Sequence, residues 1–240
     1  MARIAIVTGG TRGIGAAISQ TLQDSGYRVA ANYASDDEAA ERFRMETGIA
    51  VYKWDVGDFA RCQEGIARVV ADLGQVEILV NNAGITRDAN LHKMTPEQWQ
   101  GVLDTNFGSC FNMCRGVIES MRAGKFGRIV NICLINGQDG QYGQVNYAAA
   151  KSGIHGFTKA LAQEGAKYGI TVNAVSPSYV DTDMVRAVPE NVLEKIVASI
   201  PVGRLGRASD IARTASFLVA DDADFITGST ISVNGGHHMY

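Results

Sequence analysis

The 240-residue chain has no apolar run near the roughly 20 residues a helix needs to cross a bilayer. That argues against a membrane-spanning protein. It has no block of basic residues and a net charge of −3, so nothing in it invites nucleic acid or an anionic membrane surface. The opening MARIAIVTGG lacks a signal-peptide layout, because its short apolar run leads straight into glycines. The four cysteines, Cys62, Cys110, Cys114 and Cys133, show no metal or redox spacing. Cys110 and Cys114 are four apart in an apolar helical pattern, so these are expected to be structural thiols of a reducing compartment. No metal site is expected, including at His237 and His238. A soluble, cytoplasmic protein is the expectation. Linkers, repeats and low-complexity segments are also missing, so residues 1–240 read as one domain.

What is present is alternation. Short, mostly apolar runs at 3–8, 27–33, 50–55, 76–82, 127–132, 170–176 and 229–235 read as strands covered on both faces. Helical patterns fill 13–25, 36–46, 58–74, 96–122, 145–168 and 207–220. Seven strands alternating with helices predict an α/β fold: a Rossmann-like, doubly wound parallel sheet with helices on both faces. Pro177, Pro189 and Pro201 interrupt the pattern around 178–206, which reads as a candidate lid leaving the carboxyl edge of the sheet.

VTGGTRGIG (7–15) joins the first strand to the first helix. Glycine permits a sharp turn and close approach of backbone to a ligand. The helix start then offers free N–H groups to a diphosphate. Gly9, Thr11, Arg12, Gly13, Ile14 and Gly15 are therefore candidate contacts to a dinucleotide. The second strand ends at Asn32 and Tyr33, without the acid that would bind a ribose 2′-hydroxyl, and Arg12 could meet a 2′-phosphate. NADP(H) is expected over NAD(H). Asp36 and Asp37 are the counter-indication, with helix capping as their simpler explanation. Asp55 and Val56, ending the third strand, are candidates to bond and pack an adenine.

Tyr147 and Lys151 stand four apart in a helical pattern, so they share a face. A free phenol, with a pKa of about 10, is too weak an acid for neutral pH. A neighbouring ammonium favours the phenolate. Such a pair can give a proton to a carbonyl oxygen as hydride reaches its carbon, or run the reverse.

Together TGGTRGIG, NNAG (81–84), Asn106, YAAAK (147–151), NAVSP (173–177) and TDM (182–184) resemble the short-chain dehydrogenase/reductase family over essentially the full length. LHKMTPEQW (91–99), INGQDGQYGQVNY (135–147), IPVGRLG (200–206) and FITGSTISVNGG (225–236) are similar to the family's acetoacetyl-CoA reductases of bacterial polyhydroxyalkanoate (polyhydroxybutyrate) synthesis. The 3-oxoacyl-acyl-carrier-protein reductases are the next most similar group. The resemblance implies NADPH-dependent reduction of a 3-oxoacyl-CoA to an (R)-3-hydroxyacyl-CoA. It implies Tyr147 as general acid and Lys151 as its partner and ribose contact. It implies Asn106 as holder of a relay water, Asn82, Ala83 and Gly84 beside the inner ribose, and Pro177 and Thr182 at the nicotinamide. It also implies a homotetramer built through 96–122, 145–168 and the last strand.

One position departs from the family. A serine that donates to the substrate carbonyl is expected thirteen residues before the tyrosine, and Leu134 stands there. Leucine has no donor and adds bulk, so weak turnover is expected. The substitution fits an altered reductase, a relative that has lost catalysis and only binds NADP, or a site rebuilt around Asn136 or Gln144. Cys133 is expected to face the wrong way to substitute. Ser178, where the family has glycine, is expected to disturb the backbone beside the nicotinamide. For the acyl-CoA thioester, Asp88, Lys93, Gln141, Gln144 and Tyr179 are candidate contacts. Arg87, with Lys93, is a candidate contact to the coenzyme A phosphates, Tyr142 could also clamp the thioester, and His155 is expected to pack at a helix surface or subunit contact.

Overall fold

A computed structural model describes residues 2–186 and 188–239, with the side chain of Met184 left aside. The strands are β1 (Ile4–Val7), β2 (Arg28–Tyr33), β3 (Ala50–Lys53), β4 (Val76–Asn81), β5 (Gly127–Ile132), β6 (Ile170–Pro177) and β7 (Thr230–Val233). They form one seven-stranded sheet in the order β3-β2-β1-β4-β5-β6-β7, every pairing parallel. The order reverses between β1 and β4, the switch point where ligands gather at the carboxyl edge of such sheets.

Helices α1 (Gly13–Asp24), α2 (Asp37–Thr47), α3 (Phe59–Leu73), α4 (Pro96–Leu103), α5 (Ser109–Gly124), α6 (Asn136–Asp139), α7 (Val145–Gly165), α8 (Asp183–Arg186), α9 (Glu190–Ser199) and α10 (Ala208–Val219) connect the strands. The central strands are buried on both sides, which is why they lack polar alternation. One core cluster joins Ile18, Leu22, Val80, Val130, Ile211 and Leu218, with α1 and α10 on that face. The other joins Trp54, Ile66, Leu79, Met113, Val117 and Ile129, with α3 and α5 opposite.

One expectation is corrected. The helix expected over 96–122 is divided at 104–108 by a π-helical turn, Asp104–Gly108, that carries Asn106. The interval 178–206, read as a candidate lid, holds α8 and α9, with Pro189 standing at the N-cap of α9. Asp36 does cap α2, accepting from Ala39 N at 2.9 Å. All four cysteines are free and buried. Burial pushes the Cys62 and Cys133 thiols up to about 12 and Cys110 to about 11. No helix among the described residues is long and apolar enough to cross a membrane.

Candidate active site

The turn after β1 depends on its glycines, Gly9 and Gly15 among them. A β-carbon on Gly15 would lie 2.0 Å from the Gly9 carbonyl oxygen, and Gly9 itself has φ 59°. The turn is braced from β4, since Thr8 Oγ1 accepts from Asn82 N at 2.9 Å and Ala83 N at 3.0 Å. Asn82 Nδ2 donates to the Thr8 carbonyl at 2.9 Å. Arg12, the exposed N-cap of α1, makes no side-chain capping bond, so the first-turn amides stay open to an anion. The tight glycine cradle and uncapped amides fit a dinucleotide diphosphate. Thr182 stands over this loop, its Cγ2 3.5 Å from where a Gly13 β-carbon would be. Thr8 was not singled out from sequence, although it is the hydroxyl directly before the first glycine.

Two nucleotide contacts read from sequence are placed differently. Asn32 is buried, its Nδ2 donating to the Trp54 carbonyl at 3.0 Å and its Oδ1 3.4 Å from Gly9 N. It braces the glycine turn and does not present its amide at the strand tip. Val56 lies in the core with Trp54, Cys62 and Met113, so its side chain does not lie open to an adenine. Asp55 is exposed and accepts from Gly57 N at 2.8 Å. Asp37 is held by Lys53 Nζ at 2.8 Å and Tyr33 Oη at 3.0 Å, which lowers its pKa.

Farther along the same edge, Asn106, Lys151 and Gly84 converge. A β-carbon on Gly84 would stand 3.3 Å from Asn106 Oδ1 and 3.8 Å from Lys151 Nζ. Asn106 Oδ1 accepts from Ile85 N at 2.7 Å and Nδ2 donates to Ile85 O at 2.9 Å. The π-turn supplies the extra residue that turns this amide inward, a common use of such insertions. Lys151 is buried; its Nζ donates to the Ile132 carbonyl at 2.9 Å and lies 5.6 Å from the Tyr147 ring centroid. Tyr147 is half-buried. Its backbone N–H donates to Asn146 Oδ1 at 2.8 Å, while Asn146 Nδ2 ties α7 to the carbonyls of Arg87 and Gln98 at 3.1 Å each. Asn146 went unnoticed in the sequence, where an asparagine in a first helical turn looks like surface.

Leu134 lies on the continuation of β5, where Cys133 N and Ile135 N donate to the carbonyls of Val175 and Pro177 at 2.8 and 2.9 Å. Successive residues therefore face opposite ways. Cys133 is buried with Cys110, Ile154 and Ala174, as expected, while Leu134 is half-buried outside the apolar clusters. The loop is pressed onto α7: a β-carbon at Gly137 would meet the Lys151 carbonyl carbon at 2.7 Å. Ser178 is not among the residues with positive φ, and its Oγ is 2.6 Å from His237 Nδ1.

Of the thioester candidates, Gln144 bridges Asp88 Oδ2 at 2.8 Å and Asn136 Nδ2 at 2.7 Å. Burial and then the Asp88 charge raise the pKa of Tyr179, keeping the phenol protonated. Gln141 and Tyr179 line a cavity of about 270 Å³ with Asn136, Ile196 and His237. Lys93 is exposed in a 3₁₀ turn (Leu91–Lys93), and Arg87 Nη1 donates to the Thr86 carbonyl at 2.8 Å. Neither lines the cavity, and Tyr142 is 87% exposed. His155 packs against β7, its Nδ1 3.1 Å from Thr230 Oγ1. Among the described residues, no three His, Cys, Asp or Glu are grouped to hold a metal ion.

Residues 9–238 match the family model described as Enoyl-(Acyl carrier protein) reductase. The chain is a short-chain dehydrogenase/reductase. It is similar to other members of the family along its whole length. An acetoacetyl-CoA reductase of Rhizobium meliloti (strain 1021) is 64% identical, over 100% of both chains. One from Shinella zoogloeoides is 63% identical over 98% of each. A 3-oxoacyl-[acyl-carrier-protein] reductase of Escherichia coli (strain K12) is 43% identical over 99% of this chain and 98% of its own. In this short-chain dehydrogenase/reductase, the glycine cradle, the Asn106 turn and the Tyr147–Lys151 pair share one edge of the sheet.

Proposed function

We propose that the chain reduces a 3-oxoacyl-CoA, acetoacetyl-CoA, to the (R)-3-hydroxyacyl-CoA with NADPH, at a rate held down by Leu134. The observation that carries the reading is the Tyr147–Lys151 pair, its ammonium fixed on the Ile132 carbonyl, on the same sheet edge as the glycine cradle. The similarity to acetoacetyl-CoA reductases supports the substrate. Gly9, Thr11, Gly13, Ile14 and Gly15 would hold the diphosphate, Asn82–Gly84 would approach the inner ribose, and Pro177 and Thr182 would border the nicotinamide. The bound nicotinamide supplies hydride. Tyr147 gives its phenolic proton to the substrate oxygen, and the Lys151 ammonium stabilises the phenolate that remains. Asn106 holds a water through which Tyr147 is reprotonated. Exposed Arg12, the absence of an acid at the tip of β2 and the engagement of Asp37 by Lys53 favour the 2′-phosphate of NADP(H).

Leu134 takes the place of a hydroxyl donor to the carbonyl. Losing one such donor costs about 10²–10³ in rate. Asn136 and Gln144 bond to one another, which favours impairment over a rebuilt site. The decisive measurement is NADPH oxidation with acetoacetyl-CoA by the chain and by Leu134→Ser, with the serine version about a hundredfold or more faster. Equal rates refute the impairment, and no turnover by either refutes the substrate. Repeating the assay with NADH and with an acyl-carrier-protein thioester decides cofactor and carrier. A cytoplasmic homotetramer serving polyhydroxybutyrate synthesis accompanies this reading. Half-exposed Phe59 and Phe111, stacked at 6.0 Å, and fully exposed Phe225 support association through their faces.

A further inference from the structure

His237 stands where three parts of the substrate cavity meet. The segment after β7 turns sharply at Gly235 (φ 63°) and Gly236 (φ 82°). Asn234 shapes that turn, accepting from Gly236 N at 3.0 Å and donating to the His238 carbonyl at 2.9 Å. The glycines are pressed against the end of the 178–206 excursion: a β-carbon on Gly235 would lie 2.8 Å from Ile200 Cγ2. Val202 N donates to Gly235 O at 3.1 Å. The turn thus delivers the His237 imidazole to the cavity. His237 Nδ1 is 2.6 Å from Ser178 Oγ at the end of β6, and Nε2 is 3.2 Å from Ser199 Oγ at the end of α9. Its ring lies 6.0 Å from that of Tyr179. His238 Nδ1 reaches Asp139 on the opposite wall at 2.6 Å.

The bonds have a direction. Ser199 Oγ donates its one proton to the Ile196 carbonyl at 2.6 Å, so toward His237 it accepts. His237 then carries its proton on Nε2, and Nδ1 accepts from Ser178. That assignment of donors and acceptors satisfies every bond in the series. The position the family fills with glycine is filled here by the hydroxyl that anchors this series.

We infer that His237 is a positioning residue that latches α9 over the acyl-thioester cavity by joining Ser178, the residue after β6, to Ser199 of the lid. The inference rests on the thioester reading above for the identity of the occupant, but not for the latch itself. With the latch closed, Val192 and Ile196 of α9 wall the cavity across from Asn136 and Gln141.

Two measurements separate the latch from the substrate. Amide hydrogen exchange over 190–199 in the ligand-free chain reads the latch alone. His237→Ala should speed it about fivefold or more, the scale of losing one or two hydrogen bonds. Ser199→Ala should do the same with the segment after β7 untouched, and His237→Gln, which keeps a donor near the Nε2 position, should restore slow exchange. Unchanged exchange in both alanine variants overturns the latch. Steady-state kinetics in the Leu134→Ser background then read its purpose. His237→Ala should raise KM for acetoacetyl-CoA about fivefold while kcat and the KM for NADPH hold within about twofold. A fall in kcat at constant KM, or faster exchange with no change in KM, overturns the role in substrate binding. If acetoacetyl-CoA is turned over by no version, the functional proposal fails while the exchange result still judges the latch.

Discussion

Lys151 Nζ donates to the carbonyl oxygen of Ile132 at 2.9 Å, which fixes the ammonium 5.6 Å from the centre of the Tyr147 ring. The charge is buried near the tyrosine by a bond to the end of β5, so α7 and the sheet set that distance jointly. Lys151→Ala, in the Leu134→Ser background, should lower kcat about 10²–10⁴-fold. The NADPH-oxidation assay measures it, and a loss under tenfold would mean that the ammonium is not part of the proton transfer.

Bulk and the missing hydroxyl at position 134 can be separated. Leu134→Ala removes the bulk and adds no donor. Its kcat with acetoacetyl-CoA should fall between those of the parent and Leu134→Ser, staying about 10²-fold below the serine version. An alanine variant as fast as the serine one would assign the whole effect to steric exclusion.

Gly15→Ala would drive a β-carbon to 2.0 Å from the Gly9 carbonyl oxygen. The turn cannot yield there without losing its braces to Asn82 and Ala83. Stability should fall by about 1–3 kcal/mol by urea denaturation, the cost of overpacking. Cofactor fluorescence should show NADPH affinity lost as well. Affinity retained alongside full stability would show that this turn is not the diphosphate site.

Burial, then the charges of Lys159 and Lys151, depress the pKa of His155. The unfolded chain therefore binds more protons than the folded one between the depressed value and about 6.5. This contribution to stability is fully present above about pH 6.5 and is lost as pH falls through the folded value. His155→Gln should flatten the fall in Tm between pH 7 and pH 5 relative to the parent chain. Parallel curves would show that His155 does not couple to folding.

Much of the site was legible because its chemistry is local. The glycine turn, the spacing of Tyr147 and Lys151, and the leucine at position 134 are read from residues adjacent on one strand, helix or turn. Asn32, Val56, Asn146 and Ser178 have contacts that the sequence does not show, for one shared reason. Each side chain takes its role from a partner on a distant element: Trp54 and Gly9 for Asn32, the core beneath β3 for Val56, Arg87 and Gln98 for Asn146, His237 for Ser178. The break at Asn106 escaped periodicity because a π-turn adds one residue without adding a turn signal.

The sequence by itself determined the parallel seven-stranded sheet, the glycine turn after β1 and the shared helical face of Tyr147 and Lys151, because periodicity, glycine spacing and a four-residue interval act within a few residues of chain. Only the tertiary structure decided which polar side chains brace and which stay open, and that Ser178, His237 and Ser199 meet. Those contacts join residues up to 59 positions apart, and a hydrogen bond between them exists only once sheet packing has brought their elements together.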